Sequence, residues 1–413
     1  MMRRVVITGF GVVTPIGTGA KAFFDALGQG RNGIAPIRRF DASGLEVRYA
    51  GEIKDVLPFA CEREQALAER DPKVGFALTA AAEALSMAGI DAFSPDDCIH
   101  IGAGVEAFPF REFSIDTPMD DQAAFFRRLV TYPWLLPLDA ALRAIQARFG
   151  RAGLAATNCS ACAAGLQSIG QAFHAVRAGR CSLALAGGFD SMINPLGVGG
   201  FQLLGAPAEG SPAPGKALCR PFDANRCGLV LGEGAGFVVL EERERALSLG
   251  KTLYAEVRGY GATLDAYGLS APDPDGDGAI RAMQAALCDA KLPPQAIDHI
   301  NAHGTGTQLN DPVEAAAIRR VFADTWQKVP VTAIKSMLGH SIAAAGSIEA
   351  IACIYTLRHG IIPPNIGLDS VGAGCELMHV GRTALPCEVE CVLTNSFGFG
   401  GQNASLILTR GET

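Results

Sequence analysis

The stretch from Leu154 to Arg180, "LAATNCSACAAGLQSIGQAFHAVRAGR", reads as a strand that breaks at small residues and continues as a helix. Leu166, Ile169, Phe173 and Val176 share one stripe of that helix, "RAGR" closes it, and "LALAGGF" at 183–189 reads as the next strand. Strand, crossing helix and second strand are the unit of a parallel sheet covered by helices. Within the unit, Cys159 stands at the strand end and Cys162 where the helix begins.

The same alternation extends outward in both directions. "RRVVITGFG" is followed by a helix near 18–28, a small-residue helix near 73–88, the strand "IHIGAGV" and a helix near 138–148. "GEGAGFVVLEERERAL" adds a strand running into a charged helix. From about 252 the pattern begins again: "AEVRGYGATLD", a helix near 277–290, "IDHINAHGTGT", a helix from 312, "VPVTAIKS", a helix from 342 and two final strands. The expected class is therefore α/β, in two halves, 1–251 and 252–413, that follow one plan although their sequences do not visibly repeat. Residues 205–218 form the clearest loop by composition, and 106–122 are a second irregular region.

A chain of 413 residues exceeds one comfortable core, and with 49% hydrophobic residues it has ample apolar area to bury. Gly, Pro and polar residues interrupt every apolar run before the roughly 18 residues a membrane span needs. Thr8, Gly9 and Gly11 likewise break the N-terminal run, so we expect a first strand there, no membrane association and a cytoplasmic location. Twelve cysteines spread over this length, Cys288 and Cys353 among apolar neighbours, suggest mostly reduced core thiols rather than a disulfide framework. The net charge of −7, with no basic stripe interleaved with aromatics, disfavours nucleic acid as a partner.

A thiol that attacks a carbonyl reacts as the thiolate, and a helix start favours that form through its dipole and free N–H groups. Cys162 meets this condition, and its small neighbours Ala161, Ala163, Ala164 and Gly165 leave backbone donors open to an oxyanion. Locally, a redox Cys-x-x-Cys, a metal pair or two buried thiols explain the same residues, although no second metal-binding pair is evident. Two distant segments bear on the choice. "NAHGTGT" sets His303 at a strand end, and "AIKSMLGH" sets Lys335 and His340 around the end of the next. Strand ends are where doubly wound folds gather side chains around a ligand, so one sulfur and two imidazoles could share a pocket. His100, His174, His299, His359 and His379 read instead as helix-end or hydrogen-bonded core residues.

The segments "ACAAG", "RPFDANRCGLVLGEGAG", "NAHGTGT", "IKSMLGH" and "NSFGFGG" occur together, in that order, and as a set are far more specific than any one of them. From residue 3 to about 410 the chain resembles the elongating β-ketoacyl-[acyl carrier protein] synthases of the thiolase-like superfamily. The resemblance implies two βαβαβαββ halves in a five-layered α/β/α/β/α core, with a dimer formed beside the cysteine strand. It implies that Cys162 takes an acyl chain from the phosphopantetheine of acyl carrier protein. Malonyl carrier protein then loses CO₂, and its carbanion attacks the acyl-enzyme to give a 3-ketoacyl thioester. His303 and His340 would donate N–H bonds to the enolate oxygen, and no metal or redox cofactor is required.

By the same resemblance, Lys335, paired with Glu349, supports the histidines, a cation beside an imidazole keeping the ring neutral. The backbone N–H of Phe399 would join that of Cys162 in an oxyanion hole, with Phe397 and Phe399 shaping the acyl entrance. Thr305 and Thr307 would hold the pantetheine arm. Each assignment has a plainer counterpart: a structural ion pair for Lys335 and Glu349, a Gly-rich turn for "NSFGFGG", surface turns for the threonines. Asp311 reads as a helix N-cap before Pro312, with Glu314 at the third helical position.

The chain departs from the family's usual pattern at Glu106, Ala107 and Phe108, across 125–144, at Cys227 and Gly268, and in a loop "LLGAPAEGSP" without the common Arg. Arg63, Arg70, Lys73, Arg127 and Arg128 are candidates for a replacement basic patch facing the carrier protein. These departures suggest a specialised polyketide, polyene or modified fatty-acid pathway, with a homodimer or a ketosynthase heterodimer. The rival expectations are a non-elongating chain-length partner subunit, a thiolase, or an acyl-thioester hydrolase.

Overall fold

A computed structural model of the chain describes residues 2–105, 137–213 and 215–411. The departures at Glu106, Ala107 and Phe108, the irregular region 106–122, the stretch 125–136, and Arg127 and Arg128 lie outside the described residues.

Ten strands carry the fold. β1 (Val5–Thr14), β2 (Cys98–Ala103), β3 (Leu154–Asn158), β4 (Leu183–Ser191) and β5 (Glu233–Glu242) belong to the first half. β6 (Ala255–Leu264), β7 (His299–Asn301), β8 (Val331–Thr332), β9 (Cys391–Gly398) and β10 (Gln402–Arg410) belong to the second. Their order across the sheet is β3-β2-β4-β5-β1-β6-β10-β9-β7-β8, so the second five repeat the first in mirrored sequence. Pairing repeats too: β2 runs parallel to β3 and β4, as β7 does to β8 and β9, while the two remaining contacts in each half are antiparallel. The halves join at Val5, Val6 and Ile7 of β1, opposite Val257, Glu256 and Ala255 of β6. Duplication that the sequence hides is plain in strand order.

Burial explains why these segments are strands. Every residue of β1 and β4 is buried, the mark of a strand covered on both faces. Helix α1 (Pro72–Met87) covers the outer face of β1, β4 and β5, while α2 (Ala164–Arg177) lies beneath β2, β4 and β5 and also reaches β6 and β10. In the second half, α3 (Asp277–Ala290) covers β6 and β10, with α4 (Asn310–Phe322) packed beside it. α5 (Ala345–His359) is buried from Ala345 to Leu357 and touches strands of both halves. A helix buried all round belongs in the middle of a protein, as α5 is, and the buried face of α2 packs against it to complete that layer. The result is five layers, α/β/α/β/α, as the resemblance implied.

The stripe Leu166, Ile169, Phe173 and Val176 of α2 is buried in the central apolar cluster, with residues of α5 and of strands from both halves. β3 is an edge strand, with Leu154 exposed and the rest half-buried. The helices expected near 18–28 and 138–148 occupy Ala20–Gln29 and Ala140–Phe149. Among the described residues no helix is long and apolar enough to cross a membrane.

One expectation fails. α4 begins at Asn310, so Asp311 is not the N-cap but a residue of the first turn, fully buried. Its carboxylate accepts the backbone N–H groups of Phe222 (2.7 Å), Thr305 (3.1 Å) and Gly306 (3.1 Å) instead of capping its own helix. The side chain that does serve the helix start is Thr307, whose Oγ1 accepts from the N–H of Asn310 at 3.1 Å.

Candidate active site

Cys162, His303 and His340 follow the carboxyl ends of the parallel strands β3, β7 and β8, and they meet beside the starts of the two central helices, α2 and α5. Their ligand atoms lie within 4.8 Å of one another and all three residues are buried. His340 Nε2 is 3.1 Å from Cys162 Sγ, and the two imidazole centroids are 5.2 Å apart, nearly perpendicular.

Local chemistry fixes each group. Ala161 adopts φ 48°, a left-handed conformation costly for a residue with a Cβ, and a single 3₁₀ turn, Ala161–Ala163, carries Cys162 into α2. Ile342, three residues before α5 as Ala161 is three before α2, adopts φ 44° in a matching turn. Its N–H donates to His340 Nδ1 at 3.2 Å. The His340 backbone is pinned as well, donating to Val230 O at 2.6 Å and accepting from Gly232 N at 2.9 Å. His303 is held by Glu314, whose two oxygens accept the N–H groups of His303 (2.7 Å) and Gly304 (2.8 Å). Gly304 turns the chain at φ 38°, where a Cβ would sit 2.5 Å from that of Ala333, so no other residue fits. Sequence reasoning had Glu314 only as a helix-start residue; an acidic side chain on the helix that follows the His-Gly turn was the available signal.

Lys335 lies at the centre of the electrostatics. Its ammonium donates to Glu349 Oε1 and to the carbonyl of His303 (2.6 Å), and stands 3.3 Å from His303 Nδ1. Burial, with Lys335 adding repulsion, holds both imidazoles well below their usual range, so both are neutral. Since Ile342 N–H and the Lys335 ammonium can only donate, each Nδ1 is an acceptor, and each Nε2 carries the hydrogen. A Cys and two His could suit a metal, but two inward N–H groups beside an ammonium present donors to an anion rather than lone pairs to a cation.

The cysteine itself corrects the sequence expectation. Burial pushes its thiol up to about 11, outweighing the Phe399 N–H and Lys335, which pull it down. The helix start does not make a resting thiolate, because desolvation is the larger effect.

Phe399 follows β9 in the loop Phe399–Gly401, and its backbone N–H and that of Cys162 both act on the sulfur. Gly398 packs so closely that a Cβ there would lie 3.0 Å from the Cys162 nitrogen. The Phe399 ring rests 6.1 Å from that of Phe201, and Phe397 lies 6.1 Å from the His303 ring. Thr305 and Thr307 are joined through their hydroxyls at 2.9 Å, with Thr305 buried. Cys159 is exposed, its thiol donating to Gly104 O at 2.9 Å. Lys73 is buried against Asp71 and Val105 O, which removes it from any outward basic patch, whereas Arg63 and Arg70 are exposed. Of the remaining histidines, His379 is bonded to Cys375 O at 2.7 Å and His299 is buried, its pKa driven down to about 3.

The chain is similar to known proteins over its whole length. Residues 2–246 match the family "Beta-ketoacyl synthase, N-terminal domain", and residues 254–369 match "Beta-ketoacyl synthase, C-terminal domain". The 3-oxoacyl-[acyl-carrier-protein] synthase 2 of Coxiella burnetii is 36% identical over 99% of both chains. Among solved structures, "The ishigamide ketosynthase/chain length factor" is 34% identical with a TM-score of 0.85, covering 100% of both chains. The structure described as "AntDE:AntF (apo): type II PKS acyl-carrier protein in complex with its ketosynthase bound to the hexaketide" is 27% identical, again at 0.85 and 100% of both chains. By sequence, architecture and motif set, the chain belongs to the β-ketoacyl synthase family of acyltransferases.

Proposed function

We propose that the protein carries out decarboxylative Claisen condensation between an acyl chain on Cys162 and malonyl-acyl carrier protein, in fatty-acid or specialised polyketide synthesis. The observation that carries this reading is the meeting of one sulfur from the first half with two Nε2–H donors from the second.

In the loading step, Cys162 Sγ bonds to the acyl carbon and the bond between that carbon and the pantetheine sulfur breaks, the thiol proton ending on the departing sulfur. The tetrahedral oxyanion sits between the backbone N–H groups of Cys162 and Phe399. Malonyl thioester then binds with its carbonyl oxygen against the Nε2–H groups of His303 and His340. Loss of CO₂ leaves an enolate there, its charge met by two donors in a buried pocket where such bonds are strong. The enolate carbon attacks the acyl-cysteine carbonyl, and the Cys162 sulfur leaves and takes up a proton. Burial, reinforced by Lys335, keeps both imidazoles neutral, and therefore able to donate without surrendering a proton, and Glu349 balances the ammonium's charge. Phe397 and Phe399 border the acyl entrance, and Thr305 and Thr307 meet the pantetheine amides. The pantetheine arrives on the carrier protein, so the chemistry needs no resident cofactor.

The half-exposed edge strand β3 supports a dimer formed there, with an identical chain or a related ketosynthase subunit; the absence, among the described residues, of a helix able to cross a membrane is compatible with the cytoplasmic location we infer. The presence of Cys162 speaks against a non-elongating chain-length subunit. A thiolase would need a second cysteine near "NSFGFGG"; Cys391 stands at the far end of β9, about 23 Å from Gly398 along the strand. Mass spectrometry after incubation with acyl and malonyl carrier proteins tests the reading. We expect an acyl adduct on Cys162 and a product two carbons longer; release of free acid, or an unmodified Cys162, would contradict it.

A further inference from the structure

Each half reaches across to the other's kinked turn. From the second half, the end of β9 runs Phe397-Gly398-Phe399, and Gly398 packs on the turn Ala161–Ala163, where a Cβ would fall 3.0 Å from the Cys162 nitrogen. From the first half, the end of β4 runs Phe189-Asp190-Ser191, and Asp190 reaches the turn Ile342–Ala344. Ala161 and Ile342 are counterparts, each left-handed and three residues before its helix, so Cys162 corresponds to Ala343. The strand ends correspond likewise, Asp190 to Gly398 and Ser191 to Phe399.

The two backbone N–H groups that receive the oxyanion in the proposed reaction, those of Cys162 and Phe399, therefore have counterparts at Ala343 and Ser191. Neither counterpart is open. Asp190 Oδ2 accepts from the Ala343 N–H at 3.2 Å and Oδ1 from the Ser191 N–H at 2.8 Å, one oxygen to each donor. The side chain is fully buried, and Gly104 packs so tightly on it that a Cβ there would lie 2.2 Å from Oδ2. A carboxylate enclosed against two convergent N–H groups sits where a bound anion would. The residue before Ala343 is Ile342, whose own N–H donates to His340 Nδ1 at 3.2 Å.

We propose that the Asp190 carboxylate fills the second half's counterpart of the oxyanion hole and, by anchoring the turn there, positions His340 with its Nε2–H toward the substrate. Asp190 is thus a positioning residue for decarboxylation and touches no reacting atom. The inference rests on the condensing function proposed above, which gives the His340 Nε2–H its task. Without the carboxylate, two buried N–H groups lose their acceptor, and the turn must move to satisfy them. Once the Ile342 N–H leaves Nδ1, it no longer selects between the two neutral tautomers. A ring with its hydrogen on Nδ1 offers the enolate a lone pair instead of a donor.

The test vacates the filled hole. Asp190→Gly removes the carboxylate and leaves its space open, whereas Asp190→Asn keeps the shape but sets an amide hydrogen against one of the two donors. Decarboxylation of malonyl carrier protein is followed by CO₂ release, and the His340 tautomer by nitrogen NMR of protein isotopically labelled at histidine. We expect kcat for decarboxylation to fall about tenfold in both variants with KM unchanged, the size of one lost hydrogen bond, while Cys162 loading stays within about threefold. The His340 signals should move from pure Nε2–H toward a mixture. Formate, a free carboxylate, should restore rate and tautomer in Asp190→Gly beyond the effect of sodium chloride at equal ionic strength. It should do nothing in Asp190→Asn, where the space stays filled. An unchanged tautomer in either variant, equal losses of loading and decarboxylation, or no formate rescue of a folded Asp190→Gly would overturn the proposal. If the unsubstituted protein releases no CO₂ from malonyl carrier protein, the condensing function falls instead, and the NMR comparison still decides whether Asp190 positions His340.

Discussion

Gly398→Ala tests the proposed oxyanion hole separately from the rest of the site. Gly398 has φ −119° and ψ 162°, an extended conformation open to alanine, so the substitution introduces no backbone strain. Its new methyl carbon would lie 3.0 Å from the nitrogen of Cys162, 3.3 Å from that of Ala163 and 3.4 Å from the Cys162 Cβ. An oxyanion must come to about 2.7–3.1 Å from its donors, so the methyl occupies the shell the oxygen needs at one of two N–H groups. Losing one such donor lowers the rate by about 10²–10³-fold, or roughly 3–4 kcal/mol in the barrier. Quenched-flow loading of Cys162, followed by intact mass, should show this loss. Decarboxylation of malonyl carrier protein, which uses the two imidazoles, should persist within about threefold, too small a change in barrier to count as a lost donor. Loading at the parent rate in a protein of unchanged melting temperature would refute this assignment of the hole.

Three other perturbations separate the remaining parts. His303→Ala should leave acyl loading of Cys162 nearly intact while condensation falls about 10²-fold or more, seen as acyl-enzyme accumulating without product. Lys335→Met should cost roughly 3–5 kcal/mol in urea unfolding by leaving Glu349 buried without its cation, and Lys335→Met/Glu349→Leu should recover much of it. Asp190 is buried and bonded to the N–H groups of Ser191 (2.8 Å) and Ala343 (3.2 Å), and burial pushes its carboxyl up to about 6. The folded state therefore binds a proton that the unfolded chain releases at lower pH. The corresponding stability is present below the unfolded carboxylate's pKa, about 4, and is lost as pH rises through about 6. Asp190→Asn should flatten that decline when denaturant midpoints are measured across this range.

What the sequence discloses, and what it withholds, follows from the range of the forces. The helix α2 and its neighbouring strands are legible because periodicity is local, and Cys162, His303 and His340 because each sits in a distinctive small-residue context at a strand end. The protonation of Cys162 is not legible: the helix start is visible in the chain, but the burial that outweighs it is assembled from distant segments. Asp311 misleads for the same reason, since Asp-Pro has the form of a cap while its carboxylate is claimed by Phe222, 89 residues away. Lys73 looks like a surface cation until Asp71 and the carbonyl of Val105 enclose it. The α/β alternation suggests two halves, yet their mirrored order lies in hydrogen bonds between strands far apart in sequence.

The paired turns at Ala161 and Ile342 show how a duplicated scaffold divides labour. Each half forces one non-glycine residue into a left-handed kink just ahead of a central helix, an expense of about 1–3 kcal/mol that an ordinary connection avoids. In one copy the kink turns a sulfur toward the two imidazoles; in the other it hands a proton donor to an aromatic ring and thereby dictates which nitrogen faces inward. Divergence between the copies thus required new side chains beside a shared backbone device, and reagent and tautomer control face each other across an approximate twofold axis that neither copy possesses alone.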